Sequence, residues 1–515
     1  MNWAELWRSY GTPRYRRLPE RERWGVAVAI EVLLAVGVFF LDHALAYGIL
    51  VAAAIYWIHR LPPIPWKLAG HVALVALFLA TGPRSLAVLL AIVFATTWIP
   101  HPYKSKIVPV VAVLAAVFYP FYGYKMFTVP LFGVWPDVAT GVYMLVFVMM
   151  AVGLNIVVGY AGLLDLGYVA FYATGAYTCA WFASEQFAHV TWHFGAVGID
   201  PKLPGIHVSI WILLALAGVI TALFGIIIGL PTLRLRGDYL AIVTLGFGEI
   251  LPQMARNSDN FLGTGFNLTN GPNGITPLDS PGFGNHIAHA TGGFLPANFL
   301  QCCTAKVLGH QIQSTDVYFW TAIVLLLFTV FCSFRLQFSR IGRAWIAIRE
   351  DETAAAAMGI PLMRTKTWAY ASGAFFGGIA GAYYAAFKSA TFPGDFFFNI
   401  SVFILCMVIL GGMGNIWGVI VGASFLAYLN QEGLANIGQW LNTNIHFIGH
   451  MQLPGQDTPG LDVPLFAGGI YGLIILVVML FRPEGLIPSR RRAAELHEGV
   501  HDEPLYDTTH AGAEA

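Results

Sequence analysis

Two acidic side chains stand inside long apolar stretches of the sequence. Asp165 lies in GLLDLGY, residues 162–168, and Glu249 lies in LGFGEILP, residues 245–252. An ionisable residue inside a membrane span marks a candidate transport path, because burying it in lipid is costly. Both acids are therefore candidate residues of a translocation path.

Each acid also has a structural interpretation. At a short turn between two spans, Asp165 would be solvated or would cap the following helix. Near the end of its span, Glu249 would reach the membrane interface or pair with Arg256. Pro252 follows closely, which indicates a broken or ending helix of the kind that transporter sites use.

Asn155, in GLNIVVGY, is a third candidate, either for contact with a solute or for a hydrogen bond across helices. A glycine series at Gly373, Gly377 and Gly381 recurs every four residues, so the three lie on one helix face and allow close helix approach. This face is either static packing or an interface that moves.

Several catalytic signatures are missing from the sequence. It contains no GxxxxGK[ST] phosphate loop, no HExxH and no nucleophile elbow. The 5 cysteines form no CxxC pair and have no nearby histidines, so no metal site is predicted. We expect neither an enzyme nor a chain that hydrolyses ATP itself, and we expect no cofactor on this chain.

The composition indicates a protein whose solvent is largely lipid. The 515 residues are 57% hydrophobic and 11% charged, whereas soluble domains carry about 25% charged residues. The fold predicted is an all-α polytopic transmembrane bundle, and no basic face is available for nucleic acid. Fourteen apolar segments are candidate spans: 25–41, 44–59, 67–81, 85–100, 107–122, 138–158, 163–183, 207–230, 239–254, 316–334, 367–388, 400–411, 417–430 and 464–481.

Charge patterning predicts the orientation. If all fourteen segments cross, most of the 28 Lys and Arg residues fall on the side that holds both termini. The positive-inside rule makes that side the cytoplasm. We divide the chain into an N-terminal set of about five short spans, residues 1–135; a core, residues 136–488, with an outer loop at 255–315; and a polar cytoplasmic tail, residues 489–515.

The cytoplasmic loop 335–366 has a distinct composition. Its run WIAIREDETAAAAM, residues 345–358, favours a single helix that is too charged to cross lipid, and Gly359 and Pro361 end it. The helix is either a docking element for a cytosolic partner or an ordinary solvated loop helix.

Four stretches resemble one known family in the same order along the chain. They are GLNIVVGYAGLLDLGYVAFYATGAY (153–177), LPTLRLRGDYLAIVTLGFGEI (230–250), SRIGRAWIAIREDETAAAAMGI (339–360) and FRPEGLIP (481–488). With NLTNGPNGI, residues 267–275, they are similar to the branched-chain amino acid permeases of ABC importers. Residues 1–135 lie mostly outside this similarity, and the longer subgroup with extra N-terminal spans fits them.

The resemblance implies a translocation subunit of the bacterial inner membrane for leucine, isoleucine and valine. Its expected partners are a second homologous permease, two cytosolic ABC ATPases that use the ATP, and a periplasmic solute-binding protein. The residues expected to couple to the ATPases are Gly342, Arg343, Ala344, Arg349, Glu350, Ala357 and Gly359. Two alternatives remain: a permease of this family for another solute such as urea or short amides, and a stand-alone secondary transporter.

Overall fold

The computed structural model describes most of the chain from residue 138 onwards and part of the region before it. The described residues are 52–56, 58, 64–81, 84–98, 101–123, 126, 133–200, 202–234, 238–260, 264–291, 295–300, 306–307, 310–445, 461–482 and 484–487. The predicted span 25–41 and the tail 489–515 lie outside the described residues, as does most of 44–59.

The described chain is mostly helical with very little sheet, which confirms the predicted all-α class. Its helices are α1 (Ile64–Thr81), α2 (Arg84–Trp98), α3 (His101–Tyr122), α4 (Val138–Asn155), α5 (Val169–Phe182), α6 (Ile210–Thr232), α7 (Asp238–Arg256), α8 (Asn285–Ala290), α9 (Ser314–Gln337), α10 (Arg340–Glu350), α11 (Glu352–Ala357), α12 (Leu362–Lys388), α13 (Phe398–Gly411), α14 (Ile416–Tyr428), α15 (Leu434–Asn444) and α16 (Ala467–Phe481). Single-turn π-helices follow α4 (Ile156–Tyr160) and α14 (Leu429–Gly433).

Five helical stretches among the described residues are long and apolar enough to cross a membrane. They are Val138–Tyr160, Ile210–Thr232, Ser314–Gln337, Pro393–Gly411 and Val463–Phe481. A helix needs about 20 predominantly apolar residues to cross the hydrocarbon. The protein is therefore a multi-pass membrane protein.

The chain divides into two compact units. One contains residues 1–135 and 432–464, and the other contains residues 136–431 and 465–515. In the first unit, Leu74, Leu90 and Phe94 form a small buried cluster beside His71, whose ring stacks on Phe94 at a centroid distance of 4.0 Å.

The second unit is built around α4 and α12. α4 packs against α9, α12, α13 and α14, while α12 also packs against α5 and α6. Gly373, Gly377 and Gly381 lie on one face of α12, where Gly373 meets α4 and Gly381 meets α5. A side chain at Gly381 would overlap the carbonyl oxygen of Tyr172, so the two backbones lie in direct contact.

Short strands occur at the end of this unit that holds the 255–315 loop. β1 (Ala183–Ser184), β2 (Thr191–Phe194) and β3 (Gly205–Val208) form a sheet in the order β1-β3-β2, and β4 (Lys306–Val307) pairs with β5 (His310–Gln311). The loop is tied to the sheet by the buried His207, whose Nδ1 lies 2.9 Å from Asp279 Oδ2. Burial raises the pKa of the Asp279 carboxyl, and the hydrogen bond to His207 opposes this shift. The part of the loop around Asp279 is therefore packed on the sheet rather than solvated.

The contact at Gly381 leads to a first prediction. We expect Gly381→Ala to lower the free energy of unfolding by about 1–3 kcal/mol, because the new methyl group overlaps the α5 backbone. Gly246→Ala on α7 is the matched control, since no atom lies within 4 Å of its added Cβ and alanine favours a helix. The melting temperature of each purified variant in detergent measures the effect. An equal melting temperature for the two variants would contradict the close approach.

Candidate functional site

The helix that begins at Val138 is interrupted at its C-terminal end, close to α10. After α4 and the π-helix Ile156–Tyr160, the chain leaves helical geometry until α5 begins at Val169. We call residues 156–168 the interrupted segment. The predicted span 163–183 is therefore wrong in its first part, because Gly162 has a positive φ of 69° and the residues up to Tyr168 form no α-helix.

Side chains satisfy the backbone N–H groups that this interruption leaves without helical partners. Leu166 N donates to Thr244 Oγ1 of α7 at 3.1 Å. Val169 N donates to Ser401 Oγ of α13 at 2.9 Å. A buried N–H without a partner costs free energy comparable to a lost hydrogen bond. Two further elements of the core thus fix the path of the interrupted segment.

Asp165 contributes to the same arrangement from within the segment. Its Oδ1 accepts a hydrogen bond of 2.9 Å from Gly167 N, just before α5 begins. The residue is 1% exposed. Its Oδ2 and the hydroxyl of Tyr370 are both buried, and the two side chains interact with each other. The hydrogen bond to Gly167 N closes a local turn before α5, whose N-cap residue is Tyr168 and has no side-chain cap, so neither the capping nor the solvated interpretation of Asp165 holds. Its place on a path remains a prediction.

Asn155, the last residue of α4, connects this end of the helix to the turn between α13 and α14. Its Oδ1 accepts a 2.8 Å hydrogen bond from Gly414 N, and the side chain is fully buried. Gly159 lies directly against this amide, where a side chain would overlap Asn155 Oδ1. The hydrogen bond across elements that the sequence allowed for Asn155 is present, and contact with a solute remains a prediction.

Arg349 of α10 reaches the same place from the loop. Its Nη1 donates to the carbonyl oxygen of Gly159 at 2.5 Å. A Cβ added at Gly162 would lie 2.7 Å from Arg349 Cγ, and one added at Gly414 would lie 3.2 Å from Arg349 Nη1. Asn155 and Arg349, two residues selected separately from the sequence, thus meet at Gly159 and Gly414.

The 335–366 loop contains two helices rather than the single helix predicted. Asp351 adopts an extended conformation and ends α10 while capping α11. Its Oδ1 accepts hydrogen bonds from Thr353 Oγ1, Thr353 N and Ala354 N, and these bonds hold the pKa of the carboxyl below its usual range. Local hydrogen bonding to an Asp side chain competes with a continuous helix, which explains the break.

Both ends of the loop have defined caps. Ser339 Oγ accepts from Gly342 N at 3.0 Å and starts α10. Gly342 abuts the end of α9, where a side chain would overlap the carbonyl oxygen of Leu336. Gly359 has a φ of 83°, and Ile360 N donates to Ala355 O at 3.1 Å. This left-handed glycine ends α11, as the sequence predicts.

Two anchors of the loop have no counterpart in the sequence predictions. The fully buried Trp345 donates its Nε1–H to Thr365 O of α12 at 2.8 Å. Lys366, 4% exposed, pairs with Glu352 Oε1 at 2.7 Å. The tryptophan in this charged loop indicates a side chain that packs against the bundle, and the lysine indicates one that forms an ion pair. Sequence spacing does not identify the partner of either residue.

The predicted coupling residues separate into two groups. Gly342 is buried, Ala344 and Arg349 are half-buried, and the Arg349 side chain points toward the core. The others lie on the exposed side of the loop: Arg343, Glu350, Ala357 and Gly359, beside the 84% exposed Met358. The loop thus has an inward face that holds the core and an outward face open to a partner.

Glu249 is exposed on α7, five residues after Thr244. Among the described residues it makes no ion pair or hydrogen bond. The guanidinium of Arg256 lies over the Phe397 ring at 6.0 Å instead, so the pairing alternative for Glu249 is wrong. Its face of α7 includes the exposed Tyr239, Ile242 and Gln253.

The described residues contain no group of three His, Cys, Asp or Glu side chains that could hold a metal ion. Cys302 and Cys303 lie outside the described residues.

These features define a class of protein, the polytopic membrane transport protein with a broken helix inside its bundle. The chain belongs to the branched-chain amino acid transport system permease family, whose model matches residues 138–479. The match excludes the N-terminal region and includes the interrupted segment, the 335–366 loop and α7.

Curated relatives carry the same description. The chain is 34% identical over 370 residues to the high-affinity branched-chain amino acid transport system permease protein LivM of Salmonella typhimurium, covering 70% of this chain and 72% of the relative. It is 33% identical to the LivM protein of Escherichia coli, covering 71% and 72%. A probable LivM permease of Methanocaldococcus jannaschii is 26% identical, covering 54% and 69%. No solved structure matches the chain.

The hydrogen bond from Leu166 N to Thr244 leads to a second prediction. Thr244→Val keeps the side-chain shape but removes the acceptor, and we expect it to cost about 1–3 kcal/mol of stability. Thr221→Val is the matched control, because the Thr221 hydroxyl is buried without a partner among the described residues. Thermal unfolding of both variants in the same detergent tests the difference. If Thr221→Val were the more destabilised variant, the assigned role of Thr244 would be wrong.

Proposed function

We propose that this chain is the translocation subunit of an ATP-driven importer for leucine, isoleucine and valine, in which the 335–366 loop transmits movement of the ATPases to the interrupted segment. The observation that carries the proposal is the hydrogen bond from Arg349 to Gly159 O, because it joins the loop to a break in a central helix. The relatives named for high-affinity branched-chain amino acid transport support the solute class.

The outward face of the loop suits an ATPase partner. Ala354, Ala356 and Ala357 are small and exposed, so α11 fits closely into a cleft, and Met358 adds an adaptable apolar contact. Charged groups at Arg343 and Glu350 flank this surface and would select the orientation of docking.

The inward face provides the transmission. Trp345 and the Lys366–Glu352 pair tie the loop to α12, and Arg349 ties it to the interrupted segment. That segment is tied to α7 through Leu166 and Thr244. A displacement of α10 would therefore reach α7 through the hydrogen bond at Gly159, the chain from Gly159 to Leu166, and the hydrogen bond from Leu166 to Thr244. A segment that leaves α-helical geometry yields more readily than a continuous helix.

α7 carries the side chain that we assign to the solute path. A carboxylate exposed on an apolar helix is costly against lipid, so this face requires water or protein. We propose that the Glu249 face of α7 lines the path, opposite a second homologous permease. Asn155 and Asp165 then support the path from behind rather than contacting the solute, since both are buried.

The remaining parts of the system belong to the same proposal and rest on the charge pattern and on the family. The 335–366 loop and both termini lie in the cytoplasm, and the chain resides in the bacterial inner membrane. The ATP is bound by two separate ATPase subunits. The loop region 255–315, packed on the β1-β3-β2 sheet, receives a periplasmic solute-binding protein. The anchored loop favours this system over a stand-alone secondary transporter, which needs no docking helix.

A third prediction tests the transmission. We expect Arg349→Gln to lower ATP-dependent leucine uptake by about tenfold or more while ATP hydrolysis continues, because a charged hydrogen bond of about 1.5–3 kcal/mol is lost. The assay uses proteoliposomes that contain this chain and its partner subunits. Arg364→Gln is the control, since Arg364 is exposed on α12. Leucine uptake by the wild-type chain without ATPase subunits would contradict the importer assignment. Uptake of urea but not leucine by the wild-type complex would show that the assigned solute class is wrong.

A fourth prediction concerns the path. We expect Glu249→Gln to reduce the rate of leucine uptake without changing assembly with the partner subunits, because it removes only the charge. Ile250→Ala, at the neighbouring 59% exposed position, is the control and should transport at the wild-type rate. The readouts are uptake in proteoliposomes and co-purification of the complex. Unchanged uptake by Glu249→Gln would remove this residue from the path.

A further inference from the structure

A cavity of about 630 Å³ lies between α6, α9, α10 and α12 in the second unit. Its lining is almost entirely apolar and includes Phe331, Trp345, Trp368 and Phe375. Phe331 is 62% exposed and Trp368 is 51% exposed, so the cavity opens to the surroundings of the bundle. Its volume is in the range of sites that hold small ligands, about 300–1,000 Å³.

The cavity extends along the transmembrane helices, from the end of a span toward the middle of the membrane. Arg335 lies in the last turn of α9, at the end where the chain leaves the membrane for α10. Trp368 and Phe376 lie eight residues apart on α12, which is about 12 Å along a helix. That length is most of one leaflet of a hydrocarbon core about 30 Å thick.

The charge of the cavity is confined to the end at the membrane surface. Arg335 is the charged residue of the lining, and in the described part of the chain it forms no ion pair. Its guanidinium stands 5.9 Å from the centre of the Phe331 ring, at the mouth of the cavity. The Ser372 hydroxyl donates to the carbonyl oxygens of its own helix, to Trp368 O at 2.5 Å and Ala369 O at 3.2 Å. The cavity is therefore an apolar groove with one cationic side chain, Arg335, at the end near the membrane surface.

We propose that this cavity is a binding site for an anionic phospholipid of the bilayer, with an acyl chain along the apolar wall and the phosphate held by Arg335. An acyl chain matches the length and the apolar lining, and a phosphate matches the arginine at the depth of the headgroups. A helix of another protein could occupy the cavity only if it placed an acidic residue at the depth of Arg335 to pair with this guanidinium.

The site also touches the loop assigned to coupling. Ile341 and Trp345 of α10 form one wall of the cavity, and Trp345 holds the loop to α12 through Thr365 O. A bound acyl chain therefore supports α10 from the membrane side. This consequence for transport rests on the proposed function, whereas lipid binding itself does not.

Native mass spectrometry of the full chain tests the binding. The detergent-purified protein is incubated with equal amounts of phosphatidylglycerol and phosphatidylethanolamine with the same acyl chains. We expect the wild type to retain phosphatidylglycerol preferentially and Arg335→Gln to bind it about fivefold more weakly. Arg340→Gln is the control, because Arg340 is exposed at the start of α10 and does not line the cavity.

A second pair of variants tests the location. Ala222→Trp fills the cavity from α6 and should abolish preferential retention, whereas Leu223→Trp places the same bulk at a 55% exposed neighbouring position outside the lining and should retain it. Gel filtration confirms that both variants remain monodisperse. Equal retention of the two lipids irrespective of Arg335, or undiminished phosphatidylglycerol binding by a monodisperse Ala222→Trp, would overturn the proposal.

The native Cys332, which lines the cavity, separates a lipid from a protein occupant. Its labelling by a lipid-soluble maleimide should decrease when phosphatidylglycerol is added to the isolated chain. Protection that appears only on adding the partner permease would identify a subunit interface and overturn the lipid site. Because these readouts need no transport, their failure is distinguishable from failure of the importer assignment, which the uptake assay measures.

Discussion

Backbone hydrogen bonding inside the bilayer is the constraint on which the second unit depends. A continuous helix satisfies its own N–H and C=O groups, but a helix that breaks within the bundle must find partners in other parts of the protein. Leu166 N of the interrupted segment finds Thr244, and Val169 N at the start of α5 finds Ser401. Asp165 accepts a third hydrogen bond, from Gly167 N within the segment itself. Thr244 and Ser401 are polar residues in otherwise apolar helices because they accept hydrogen bonds from the backbone where the helix is broken.

Close helix packing supplies the rigid frame around this break. The glycines of α12 bring its backbone against α5 on one side and α6 on the other, with Gly378 against Thr221 and Gly381 against Tyr172. Dispersion contacts at such short separations hold helices together where lipid offers no hydrophobic driving force. In the proposed mechanism, this tightly packed frame would confine movement to the interrupted segment.

Structural and functional roles coincide in the same residues. Arg349 was selected as a residue that couples to ATPases, yet its guanidinium points into the core and bonds to Gly159 O. In the proposed function it would contribute to coupling by connecting the loop to the interrupted segment, whereas the exposed Ala357 and Met358 lie on the outward face of the loop. Asn155 acts in a similar way, because its amide holds Gly414 and so fixes the turn between α13 and α14 to the same point.

Local patterns in the sequence determined the class of the protein and the ends of its elements. Apolar runs of helical length predicted the membrane bundle, since each reflects burial in lipid. Gly359 predicted the end of α11, because a left-handed position favours glycine. The tertiary structure alone decided three hydrogen bonds: Arg349 to Gly159, Gly414 to Asn155, and Leu166 to Thr244. These pairs lie 190, 259 and 78 residues apart, and the break at Asp351 and the cavity at Arg335 likewise depend on hydrogen bonds and packing geometry. Periodicity reports which face of a helix is apolar, but a hydrogen bond between distant segments depends on how those faces meet.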